Sequence, residues 1–169
     1  AEAAGAHLDV LCIGIDRTQT GYYFAGATAL MHEETLAQAQ GEATRIEKAA
    51  RERLERTGLS WGVEALVAQS ASVTTVVARR ARYADLVVLP KPYGEGLPAD
   101  APVIVESAMF QGNAPVIVLA GNAAPPMKPE TVVIAWNDSP EAMEAVRRAL
   151  PLLVAAKQVS ICMVAPERH

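Results

Sequence analysis

Two short stretches carry the residue types from which a phosphate or nucleotide site is built. The first is PKPYGEGLPADA, residues 90–101, with Gly94 and Gly96 set among prolines. Glycine amides approach a phosphate closely because no side chain intervenes, and the N-terminus of a following helix aims further N–H groups at the same anion. The second is Asn137-Asp138-Ser139, which closes the apolar run TVVIAW. Polar side chains at a strand end can read base or ribose groups. Both stretches have a plainer reading, and it is the stronger one. Gly94 and Gly96 suit a turn, and Asn137, Asp138 and Ser139 suit a strand-end turn followed by a helix cap. Asp16 and Arg17 come after another apolar run and could line the same edge; as loop charges they read more simply as solvated.

Other chemistry is poorly supplied. No GxSxG elbow, HExxH helix or GxxxxGK[ST] loop is present. The three histidines, His7, His32 and His169, form no cluster, and the spacing of Cys12 and Cys162 fits no zinc pattern. No catalytic or metal-ligating residue is therefore assigned. Both cysteines lie in apolar runs and read as buried, reduced thiols. The net charge is −4 and no basic stripe occurs, which disfavours nucleic acid and anionic lipid as partners. No apolar run reaches the roughly 18 residues of a membrane span. The chain opens at Ala1 without a signal-peptide pattern, and its natural start is expected to lie upstream.

The elements that would position these residues are read from periodicity. LDVLCIGI (8–15) is an apolar run of strand length, and 16–30 reads as a loop. From Glu33 to Arg56 apolar residues recur on one helical face, at Leu36, Ala43, Ile46, Ala50 and Leu54. WGVEALVAQ (61–69) predicts a strand, Ser72 a cap for a helix over 73–83, and LVVLP a short strand buried on both faces. Pro102 suits the first turn of a helix reaching Gln111, and APVIVLA (114–120) is the next strand. Residues 121–130, with three prolines, form a linker. TVVIAWN is a strand, Ser139 and Pro140 start a helix that Pro151 should kink or end, and VSICMVA (159–165) is the last strand. Strands alternating with helices predict an α/β fold, an open doubly wound parallel sheet with helices on both faces.

The two ends resemble each other. At an offset of 150 residues Cys12 meets Cys162 and Ala6 meets Ala156, and Leu11 and Ile13 meet Ile161 and Met163. Both segments read as a helix end and then a strand. The chain thus reads as beginning inside one unit and ending inside a second copy of it.

ADLVVLPKPYGEG, with a helix and APVIVLAG after it, resembles the C-terminal half of a universal stress protein domain. TVVIAWNDSPEAMEAVRRAL resembles that family's opening strand and first helix. The resemblance implies a tandem arrangement. Residues 1–120 would be a domain without its first strand, 121–130 a linker, and 131–169 the opening β-α-β of a second domain. It also implies about five strands in the order 3-2-1-4-5, cytoplasmic location, a homodimer and a role in stress survival. Many family members bind ATP through an Asp at the end of the first strand and a loop G-x2-G-x9-G-[ST] after the fourth. Here Pro90 stands at the first loop glycine and has no N–H to give. No Gly-Ser or Gly-Thr pair comes after it, Glu95 and Asp100 add negative charge, and Asn137 stands where the family has Asp. The expectation is a binding and dimerising module with no efficient hold on ATP and no other cofactor. A weakly hydrolysing ATP-binding regulator is the alternative, and an electron-transfer flavoprotein-like nucleotide domain a more distant one.

In the expected sheet the missing strand is central, and TVVIAWN is the segment able to replace it. Ten linker residues span up to about 33 Å, enough to cross two strands, about 10 Å, and return along the sheet, about 17–20 Å. Strand 159–165 would then compete with 8–15 for one place, so exchange of the second unit between two copies is a further way to close the sheet.

Overall fold

The structure, a computed structural model, describes residues 5–18, 27–121 and 128–164, with side chains from 32 onward in the second stretch. Most of the expected linker, 122–127, lies outside the described residues, as do 19–26 of the first loop, residue 165 of the last strand, and His169. The fold is mixed α/β. In chain order come β1 (Leu8–Asp16), α1 (Ala27–Leu54), β2 (Trp61–Gln69), α2 (Val73–Ala81), β3 (Val87–Pro90), α3 (Ala101–Glu106), β4 (Val116–Leu119), β5 (Thr131–Trp136), α4 (Pro140–Ala155) and β6 (Gln158–Met163). Helix α1 starts at Ala27, six residues before the expected Glu33. The helix formers in ATALM extend it, while the Gly and Thr residues spread over 16–30 make the stretch read as a loop.

Strand β1 has a helix layer on each face. Cys12, Gly14 and Asp16 are buried on one face, where α1 lies. A Cβ on Gly14 would stand 1.8 Å from the Ala39 carbonyl oxygen; only glycine lets the helix come this close, and Ala39 and Ala43, both buried, keep the helix side thin. Ile13 and Ile15 point the other way. They pack with Leu66 of β2, Val87 and Leu89 of β3 and Val116 of β4 against a cluster of Ala68, Val73, Val77, Ala81, Ala108 and Ala114. The cluster is small-residue packing throughout, as a chain with 5% aromatic residues requires. Helix α2 meets the segment after α3 at Gly112, where a Cβ would collide at 2.7 Å with Ala81.

The helix expected over 102–111 is α-helical only to Glu106 and then widens. Residues 107–111 form a π turn, with Gly112 N–H donating to the Ser107 carbonyl at 2.8 Å. Asn113, at φ 52°, reverses the chain into β4. Ser72 precedes α2 without a side-chain cap, because residues 70–72 already form a 3₁₀ turn. Ser139 does cap α4, accepting from the Ala142 N–H at 3.1 Å. Pro151 does not end that helix, which runs on to Ala155.

All strand pairs are parallel: β1 with β2, β3 with β4, and β5 with β6. They form three two-stranded sheets. Among the described residues the expected single five-stranded sheet is not seen. TVVIAW does not lie between β1 and β3; it pairs with β6, in register from Thr131 opposite Gln158 to Trp136 opposite Met163. A local β-α-β crossover closes over one helix and needs no long return along the sheet, so β5 takes its nearest partner in sequence. The sheets β1–β2 and β3–β4 share one core yet have no ladder between them. No residue from 128 to 164 is buried.

Candidate functional site

Open parallel sheets present ligands at the carboxyl ends of their strands, and here that edge is organised around Asp16. Asp16 is the last residue of β1 and only 2% exposed. It is not the solvated loop charge its sequence position suggests. The Thr18 N–H donates to its Oδ1 at 2.9 Å and the Thr18 hydroxyl to the same oxygen at 2.5 Å. The Thr18 and Thr35 hydroxyls lie 2.5 Å apart, and His32 Nδ1 is 3.2 Å from Thr18 Oγ1. From the 3₁₀ turn after β2, the Ser70 hydroxyl donates to the Asp16 carbonyl at 3.2 Å. The Thr18 hydroxyl and N–H, aided by the nearby His32 and Thr35, hold the Asp16 carboxyl below the ordinary carboxylate range against the opposing effect of burial. Asp16 is therefore a fixed negative charge supplied with hydroxyls. The sequence does hold a signal for this: Asp-x-Thr after a strand is the pattern of a side-chain-closed turn.

Arg17 turns outward and pairs with Asp100, which precedes α3. That ion pair ties the carboxyl end of β1 to the β3–α3 loop, so the ends of β1 and β3 lie on the same side of the molecule. Asp100 makes no side-chain cap to α3.

Gly94 and Gly96 lie in this loop with φ of 145° and 73°. Both values are in the region glycine alone enters freely, which gives them work as turn residues. Pro90 ends β3, and the next N–H, of Lys91, is donated to the Leu119 carbonyl of β4 at 3.0 Å. The loop's first amide thus closes the sheet and is not turned toward a ligand.

Asn137, Asp138 and Ser139 stand at the carboxyl end of β5, in a different sheet. Asn137 Oδ1 accepts from the Ser139 N–H at 3.3 Å, the same side-chain-closed turn that Asp16 makes with Thr18. Asp138 sits at φ 59°. Within one copy no hydrogen bond among the described residues joins this turn to Gly94, Gly96 or Asp16.

Cys12 is buried, and burial, with Glu47 nearby, pushes its thiol up from the usual range, while Arg51 works against this. Cys162 is exposed, unlike the buried thiol expected, because no layer covers β6. Among the described residues no group of three His, Cys, Asp or Glu side chains is placed to hold a metal ion, and no helix is long and apolar enough to cross a membrane. No protein-family model, no curated protein and no solved structure matches the chain.

Proposed function

We propose that this chain is a cytoplasmic universal stress protein module of the tandem type, which acts by binding and dimerising and has no efficient ATP site. On this reading β2, β1, β3 and β4 are four strands of a sheet of order 3-2-1-4-5, with its central place between β1 and β3. Residues 131–169 open the second domain. The alternation of parallel strands and helices supports it, as does the shared core beneath β1–β2 and β3–β4.

The loop after β3 carries the negative part of the reading. Its first position is Pro90, its first amide is spent on Leu119, and Gly94 and Gly96 are shaped as turns. Asp16 puts a buried carboxylate at the carboxyl edge, where a triphosphate would meet repulsion, and Arg17, the cation beside it, is already paired with Asp100. The Thr18 hydroxyl, which lies 3.2 Å from His32 Nδ1, is spent on Asp16, and no reaction is assigned. Isothermal titration with ATP and magnesium tests the claim. The expected result is no heat of binding at micromolar nucleotide; saturable binding in that range would establish instead an ATP-dependent stress regulator.

A further inference from the structure

Helix α2 and the π turn after α3 touch at Gly112, and beside that contact they leave a groove of about 390 Å³. Ala78, which is buried, forms its floor. Thr74, Thr75, Arg79, Arg82 and Tyr83 line it from α2 and the turn that ends the helix, and Gln111 lines it from the π turn. Spacing explains the convergence. Residues 75, 79, 82 and 83 recur at steps of three or four, so their side chains share one face of the helix. The small side chains of Ala78 and Ala81, and the missing one of Gly112, let the π turn approach closely enough for Gln111 to reach the same groove. A π turn is an irregularity that recurs at functional sites, and this one supplies a wall.

The polar groups gathered there are unused. Among the described residues, none of the side chains of Thr74, Thr75, Arg79, Arg82, Tyr83 and Gln111 has a hydrogen bond or an ion pair. Arg80, on another side of α2, shows the contrast, since it pairs with Glu64 of β2. No Asp or Glu lines the groove, although the chain as a whole carries −4. Arg79 and Arg82 are like charges one turn apart and repel each other. The helix dipole favours cations in the last turn of α2, which accounts for Arg79 and Arg80. It calls for neither the hydroxyls nor a further guanidinium beyond the helix end. An anion set between the two guanidiniums relieves the repulsion and uses the donors.

The donor set also selects among anions. A guanidinium is a planar fork that meets carboxylate or phosphate oxygens in pairs. One fork fills the two oxygens of a carboxylate. A phosphomonoester has three terminal oxygens and about −1.5 to −2 of charge near neutral pH, enough for both forks and a threonine hydroxyl. The groove's volume lies among those of small-ligand clefts, roughly 300–1,000 Å³, and leaves room for the group that carries the phosphate. Gln111 offers that group a donor and an acceptor, and Tyr83, 85% exposed, offers it a ring face.

We propose that this groove binds a phosphomonoester, with the phosphate held between Arg79 and Arg82 and the attached group between Gln111 and Tyr83. The site goes beyond the function proposed above and does not rest on it. Its expected Kd is about 0.1–1 mM, because charges open to water attract weakly. That range lies outside the micromolar one in which ATP is tested, so the two readings fail separately.

The test is a titration of the isotope-labelled whole chain with phosphoserine, up to about 10 mM at constant ionic strength, followed through the arginine Nε–H signals. Saturable shifts are expected at Arg79 and Arg82 and at the Gln111 side-chain amide. Both arginines are exposed and unpaired, so R79Q and R82Q keep the circular dichroism of the original chain while each weakens binding roughly tenfold. R80Q, which breaks the pair with Glu64 outside the groove, leaves binding unchanged, and glutamate binds more weakly than phosphoserine. Phosphoserine placed inside a short, otherwise uncharged peptide identifies the source. Tighter binding assigns the site to phosphorylated protein segments, and equal or weaker binding assigns it to small phosphomonoesters. No saturable shift, binding unaltered when R79Q and R82Q are combined, or an equal loss in R80Q would overturn the proposal.

Discussion

Asp16 shows how far a single residue's role depends on its neighbours along the chain. Its carboxylate is buried and favoured by the Thr18 hydroxyl, so its pKa in the folded chain lies below the unfolded value of about 3.9. Linkage sets the sign. The stabilisation is fully present above that unfolded value and is lost as pH falls through the lower folded one. Carbon-detected titration of the Asp16 carboxyl should show the depressed value in the native chain and a rise toward the ordinary range in T18A. Equal pKa values in the two would remove Thr18 as the cause. The cysteines separate by burial. Cys162 should alkylate readily in the native protein, while Cys12, under α1 and with its thiol held in the neutral form, should react only when the fold opens. Mass mapping after brief iodoacetamide treatment reads both.

At the scale of elements, two contacts decide how helices sit. Gly14 lets α1 touch β1, and G14A forces a methyl onto the Ala39 carbonyl. Urea unfolding should show a loss of about 3 kcal/mol, at the upper end of what overpacking costs. Ser139 caps α4, so S139A should cost about 1 kcal/mol and S139D should restore it, read from the fluorescence of nearby Trp136. Element types are legible because each apolar run has its own period. The boundaries that escape do so for local reasons. The onset of α1 is masked by Gly and Thr, and the π turn at 107–111 answers the close approach of Gly112 to α2, a tertiary contact that no local pattern records. Of the candidate residues, the turn roles of Gly94 and Gly96 and the cap at Ser139 can be read from residue type alone. The burial of Asp16 cannot, since it depends on where α1 returns over β1.

For the whole molecule, the sequence tells that parallel strands alternate with helices but not which strands become neighbours, because pairing is decided by contacts distant in the chain. TVVIAW, expected beside β1, is found beside β6, the strand one helix away. The consequence is an uneven molecule, a body with a small-residue core and a terminal β-α-β unit with nothing buried. Apolar surface left open in this way favours association, because water is released when it is covered. The open edges of β1 and β3 point the same way, since unpaired strand edges act as templates for another strand. Backbone amide exchange at 131–136 and along β1 and β3, monitored across a hundredfold range of protein concentration, puts this most directly. Protection in all three segments should rise together as concentration increases. Exchange that is identical at every concentration would mean that these edges stay open and that no second backbone fills them.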